Sequence, residues 1–261
     1  MGRLTYILVY ILVHIPSVLW LRFLFISATI YLCEAFMSEK IVIKISGKII
    51  NPDKPDIIRR YAEVVRDIVC KGYRVVVVVG GGSYARGYIM CAKSIGLTQA
   101  QSDMLGIEIS RVNSLLLAYT IGDNVYLPIP RNIEDVERAW SINKVVVVGG
   151  LQPGQSTATV AAIIAEVLGI KKMLYATDVE GIYDRDPKIY KDAKKLDMIS
   201  VDELPKILNQ GFEAGRYELL DPLAISIVKR SCIEVTVFNG LDPYNIYRAL
   251  EGAIGTKIKP C

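Results

Sequence analysis

Five consecutive valines, Val75–Val79, run straight into Gly80-Gly81-Gly82. A strand with no polar residue on either side has no solvent face, so it must be covered on both, as in a parallel sheet flanked by helices. Ile41–Ile45, Val145–Val148, Met173–Ala176 and Val235–Phe238 are further apolar runs of this kind. Between them lie segments of helical period: Asp56–Lys71, closed by Gly72; Ser102–Tyr119; and Ser156–Leu168, closed by Gly169. Alternating strands and helices predict βαβ units, hence an α/β fold with a covered parallel sheet. The more polar region Asp184–Leu208 is expected on the outside. Of the 261 residues 52% are hydrophobic, enough to fill such a core.

Residues 1–37 differ from the rest. Leu4–Leu21 and Phe23–Cys33 are almost wholly apolar, separated by Arg22. The segment is expected to be an upstream extension created by a misassigned start, with Met37 as the natural first residue. The alternatives are a membrane anchor, for which the length suffices, and a cleaved signal. The globular domain is then 38–261, and the localisation cytoplasmic, with membrane association only if the leader is real.

Composition excludes several function classes. The net charge of +4 is close to balanced and no basic stripe appears, which argues against a nucleic-acid binder. The five cysteines form no C-x-x-C pair, and their spacing suits neither a zinc site nor a disulfide framework. The one histidine, His14, lies in the leader, so no histidine base or ligand serves the globular part.

In open parallel sheets, ligands bind beyond the carboxyl ends of the strands. Glycines there admit a ligand to the backbone and expose N–H groups to anions. Gly80-Gly81-Gly82 and Gly149-Gly150 therefore suggest a site for phosphorylated ligands, with Arg86 placed to grip a phosphate. The G-x-x-x-x-G-K-[ST] motif is absent, so this is no P-loop protein. Gly80–Ala85 satisfies the dinucleotide pattern G-x-G-x-x-[GA], but the acid that should end a second strand, Asp103, instead opens a helix. In IVIKISGK, Lys44 and Lys48 flank a Ser46-Gly47 turn, and Lys44 lies in an otherwise apolar strand. A buried lysine needs an anionic partner. Two such cations at a glycine turn suit phosphoryl transfer, which needs positioning and electrostatics more than a nucleophile.

Three further segments fit. In GGLQPGQSTATV, Ser156 or Thr157 caps a helix whose N-terminus is an anion site, and Gly154 and Gln155 join the cradle. In LYATDVEGIYDRDP, a strand ends at Thr177, with Tyr183 and Asp186 beyond it to flank a base and hold ribose hydroxyls or a hydrated cation. Asp221-Pro222 reads as N-cap and first helical residue, or as a carboxylate orienting a lysine of the first strand.

Taken in order, KISGK, GGGSYAR, DMLGIEISRVNS, GGLQPGQST, ATDVEGIYDRDP and LDPLA resemble the amino acid kinase family, and within it the UMP-phosphorylating branch of archaeal type. The resemblance covers residues 40 to 260. It implies a three-layer αβα sandwich with a mostly parallel sheet of about eight strands, ATP and UMP as substrates, Mg²⁺ with the ATP, and a homohexamer built from dimers. It implies that Lys44 and Lys48 contact the phosphates, with Gly47, Gly82 and Arg86 on the ATP side. Thr177, Tyr183 and Asp186 would line the adenosine pocket. Gly81, Asp103 and the loop Leu151-Gln152-Pro153-Gly154-Gln155-Ser156-Thr157 would take UMP, and Asp221 would orient a lysine. No residue is assigned as a metal ligand.

The chain departs from that pattern twice. Many relatives carry Asp in place of Ala158, and many read TNVDG where Thr177–Gly181 stand. Other small-molecule kinases of the fold, or a non-catalytic nucleotide-binding protein on the same scaffold, are the alternatives. An isopentenyl phosphate kinase would need a histidine that the globular part lacks.

Overall fold

The computed structural model describes residues 39–185, 190–209 and 219–260, without the side chains of 208 and 209. The leader and Asp186 lie outside these residues. Among the described residues, seven strands form one sheet: β1 (Lys40–Ile45), β2 (Arg74–Val79), β3 (Val146–Val148), β4 (Lys172–Thr177), β5 (Met198–Ser200), β6 (Glu234–Asn239) and β7 (Thr256–Lys259). Their spatial order is β3-β2-β1-β4-β6-β7-β5, and every pairing is parallel except β6 with β7. All five apolar runs became strands. The remaining two, β5 and β7, carry no such run and lie together at the edge opposite β3.

Alternate residues of each central strand feed opposite faces. Val42, Val76, Val78, Val146 and Val148 enter one core, and Ile41, Ile43, Ile45, Val75, Val77 and Val79 the other. The second core is covered by α1 (Pro55–Cys70), α3 (Gln99–Ile121) and α8 (Asn245–Leu250). The first is covered by α4 (Ile133–Ser141), α5 (Thr157–Val167) and α7 (Pro222–Arg230), with Leu204 of the short α6 (Leu204–Asn209). Helix α2 (Gly82–Ser94) packs on α3. The architecture is the three-layer αβα sandwich.

Local chemistry sets the helix ends. α1 has Pro55 in its first turn and closes at Gly72 (φ +90), whose N–H reaches the Val69 carbonyl. α3 begins three residues earlier than its apolar period indicates, because Thr98 and Gln101 form a capping box. Ser156 caps α5 and Asp221 caps α7. The region Asp184–Leu208 contains a piece of the sheet, β5, so it is an edge element rather than a purely external loop. Cys70 and Cys91 are free and exposed, whereas Cys232 is disulfide-bonded, which the cysteine spacing does not indicate. Among the described residues, no helix is long and apolar enough to cross a membrane.

The chain order reverses between β1 and β4: β2 and β3 lie to one side of β1, and β4 and β6 to the other. At the carboxyl ends of β1 and β2 the two turns touch backbone to backbone. A Cβ on Gly47 would lie 2.2 Å from the Gly82 nitrogen, and one on Gly82, at φ +66, would lie 2.1 Å from the Gly47 oxygen. Gly82→Ala is therefore expected to lower the unfolding free energy by more than the roughly 1–3 kcal/mol that left-handed strain alone costs. Gly72→Ala, with φ +90 but nothing within 4 Å, bears the strain only. Urea unfolding of both variants checks this; equal losses would mean that the close approach does not demand glycine.

Candidate active site

A cleft of about 330 Å³ opens at this reversal, beyond the carboxyl ends of β1, β2 and β4. It gathers Lys44, Gly47 and Lys48 from β1 and its turn, and Gly81, Gly82 and Arg86 from the start of α2. Ser156, Thr157, Thr177 and Asp221 close it. These ten positions come from five separate stretches of sequence.

Lys44 is 5% exposed. Its ammonium donates to the Tyr175 hydroxyl at 2.6 Å and lies 3.8 Å from the Tyr175 ring centre. The register explains the contact, because Lys44 and Tyr175 are paired across β1 and β4. Burial, with Lys48 nearby adding to it, pulls the Lys44 ammonium down to about 7; Asp178 opposes this in part. The anionic partner expected of this lysine is thus replaced, in the protein alone, by a neutral phenol and a ring face.

Lys48 is bonded to both oxygens of Asp178, at 2.9 and 3.1 Å. Burial raises the Asp178 carboxyl, but the Lys48 hydrogen bonds and charge outweigh it and hold the group below the usual range. The lysine partnership considered for Asp221 is made by Asp178. Asp221 instead accepts from the Ser156 hydroxyl, from Thr159 Oγ1 at 2.7 Å, and from the Leu223 and Ala224 N–H groups at 3.0 Å. Burial pushes the Asp221 carboxyl up, yet these donors together keep it low. It caps α7 and ties that helix to the start of α5.

Two more helix starts face the cleft. α2 follows Gly81 with no side-chain cap, so its first N–H groups stay available to an anion. Ser156 Oγ satisfies the Ala158 and Thr159 N–H groups of α5 at 3.1 Å each.

Other expected residues fall elsewhere. Leu151 is buried beneath the loop after β3, while Gln152, Pro153 and Gly154 are exposed. Asp103 accepts the Gly154 N–H at 3.0 Å and the Gln99 side chain at 2.6 Å, so it anchors this loop to α3. Gln155 Oε1 is buried without a hydrogen-bond partner. Tyr183 forms an isolated bridge with Lys195, outside the cleft lining.

Sequence reasoning missed the supports. Ser110, Arg111 and Asn113 lie on the buried face of α3. Arg111 donates to the Gly150 and Leu151 carbonyls at 3.1 and 3.2 Å, Ser110 accepts the Gly150 N–H at 2.6 Å, and Asn113 donates to Gly80 O at 3.0 Å. The signal was present: SRVN puts three polar residues where an amphipathic helix should be apolar. Tyr175, inside an apolar run, gave no signal.

Residues 39–239 match the profile of the Amino acid kinase family. The chain is 48% identical over 212 residues to the uridylate kinase of Hyperthermus butylicus, covering 81% of this chain and 94% of that one. It is 43% identical to the uridylate kinase of Sulfurisphaera tokodaii, covering 85% and 99%. The crystal structure of uridylate kinase from Archaeoglobus fulgidus superposes with a TM-score of 0.76 at 34% identity, covering 84% of this chain and 99% of that one. Matched in sequence and in structure over most of its length, the chain belongs to the amino acid kinase family.

Proposed function

We propose that the chain transfers the γ-phosphoryl group of ATP to UMP, giving ADP and UDP. The observation that carries this reading is Lys44: a buried ammonium, facing a cleft, with no carboxylate bonded to it. Its burial is costly until an anion arrives. The similarity to uridylate kinases supports UMP as that anion's carrier.

In this reading a phosphate oxygen of UMP attacks the γ-phosphorus in line, and the bond to the β–γ bridging oxygen breaks. Lys44 and Lys48 neutralise charge that spreads over the transferring group, a contribution that is larger in the transition state than in the ground state. Gly47, Gly82, Arg86 and the uncapped start of α2 hold the donor phosphates. Thr177, Tyr183 and Asp186 serve the adenosine. Gly81 and the loop Leu151–Thr157, braced by Asp103, serve UMP. Asp221 acts as a positioning residue through Ser156 and Thr159. Among the described residues, no cluster of three or more acidic, histidine or cysteine side chains forms a metal cage. In this reading Mg²⁺ comes with the ATP, since it is commonly held by substrate phosphates with one or two carboxylates. Bound there, it would neutralise charge on the β- and γ-phosphates.

ADP release from ATP, Mg²⁺ and a panel of acceptors (UMP, CMP, dUMP, AMP, acetylglutamate, isopentenyl phosphate) tests the assignment. Turnover is expected with UMP; turnover only with another acceptor overturns it, and silence from folded, ATP-binding protein favours a binding role. Lys44→Ala should lower turnover about 10²–10³-fold, as for the loss of one preorganised charge-stabilising donor, while UMP binding, read by calorimetry, changes little.

The protonated form of Lys44 is the one needed, and burial lowers its pKa to about 7. kcat/KM reports the free enzyme, so it should fall as pH rises through about 7. kcat should hold to higher pH, because bound phosphates raise the lysine's pKa. Lys44→Arg, which stays charged, should lose this alkaline limb. A limb that persists in Lys44→Arg would assign it to another group.

The homohexamer, built from dimers, is also proposed. Leu105, Val112, Leu116 and Tyr119 form an exposed apolar stripe along α3, with Val112 60% and Tyr119 65% exposed. A second copy covers this stripe in that assembly. Sedimentation should show an assembly of the wild type that Val112→Glu with Tyr119→Glu reduces; a wild-type monomer sinks the idea.

A further inference from the structure

We propose that Asp178 is a placeholder for the donor nucleotide's phosphates: it pairs with Lys48, competes with the nucleotide for that ammonium, and thereby weakens donor and product binding. The inference rests on the phosphoryl-transfer reading above.

Position is the first argument. Ile45 pairs with Ala176 across β1 and β4, so Lys48 and Asp178 leave adjacent strand ends and close over the crevice between them. Asp178 engages the three-donor Lys48 ammonium through both carboxylate oxygens, so a nucleotide phosphate that needs more than the remaining donor competes with Asp178 for it.

The second argument is partner inventory. Asp221, a carboxylate in the lining of the cleft, already accepts from two hydroxyls and two backbone N–H groups. It offers Lys48 no comparable place. Asp178 has, besides Lys48, the Thr177 hydroxyl at 3.3 Å and its own backbone N–H.

The third argument is exposure. The side chains of Lys48 and Asp178 are 40% and 32% exposed. A pair so placed adds little stability, so it orders the lysine without trapping it. Lysine's compact ammonium turns on a flexible stem and can exchange one anion for another. Once Lys48 has turned to a phosphate, Asp178 faces a polyphosphate with its own charge unpaired. That repulsion opposes ATP and ADP alike, so it is a release device rather than a catalytic one.

The sign of the effect makes the test. Calorimetry measures ADP affinity in buffer with the divalent cations chelated. Asp178→Asn should bind ADP about three- to tenfold more tightly than the wild type, the scale of a half-exposed ion pair. Stopped flow should show slower ADP dissociation. Asp178→Glu, which keeps the charge, should stay near wild-type affinity. A purely structural Asp178 predicts unchanged or weaker ADP binding with a lower melting temperature, and either result overturns the proposal. If Asp178→Asn does not fold, Asp178→Ser carries the same prediction. ADP binding involves no acceptor, so the two readings fail separately. Tighter binding without UMP turnover sinks the UMP assignment alone, and UMP turnover without tighter binding sinks the placeholder alone.

Discussion

A lysine ammonium buried in an interior strand of a sheet is the constraint around which this site is arranged. Lys44 belongs to β1, which has neighbours on both sides and helices on both faces. Its alternation with Ile43 and Ile45 turns it toward α5 and α7 rather than toward the α1 side. The sheet brings Tyr175 opposite, and a phenol with its ring face is the partner available there. Burial strips the ammonium of water and Lys48 adds repulsion that Asp178 offsets only in part, which is why the group sits so far below an ordinary lysine. The cleft is therefore built around a cation that an anion stabilises, and the remaining charges can be read relative to it.

The glycines answer to geometry before they answer to a ligand. Gly47 and Gly82 touch each other's backbone, and the two turns act as one body at the head of β1 and β2. Gly149 and Gly150 serve a different contact: a Cβ on Gly149 would lie 2.7 Å from the Arg111 nitrogen, and one on Gly150 would lie 2.9 Å from Ile107. There, glycine lets α3 approach the end of β3. The polar residues of α3 then satisfy the carbonyls and N–H groups that such turns leave without strand partners. Backbone approach to a ligand, the reason first suggested by the glycine run, is compatible with this but is not needed to explain it.

The carboxylates divide the remaining work. Asp221, saturated by hydroxyls and N–H groups, joins the starts of α5 and α7. Asp178, at the end of β4, meets the lysine. Side-chain type alone does not separate these roles, because both are an Asp beside a strand or helix end.

By itself the sequence determined the parts of this protein that depend on local pattern. Unbroken Val and Ile runs have no polar face, so β1, β2, β3, β4 and β6 and the covered sheet could be read directly. So could the caps at Ser156 and Asp221, since capping depends on residues two or three positions away. Lys44, Lys48 and the glycine turns were legible as a group because an apolar strand ending in a cation and a glycine has few other uses. Tertiary structure decided what depends on separated segments meeting. Strand order put β4 beside β1, and so chose Tyr175 for Lys44 and Asp178 for Lys48 across about 130 residues of chain. It placed Asp103 under Gly154 and aimed Arg111 at the glycine turn. It also recruited the short strands β5 and β7, whose few residues carry no period and become strands only because a sheet edge is there to pair with.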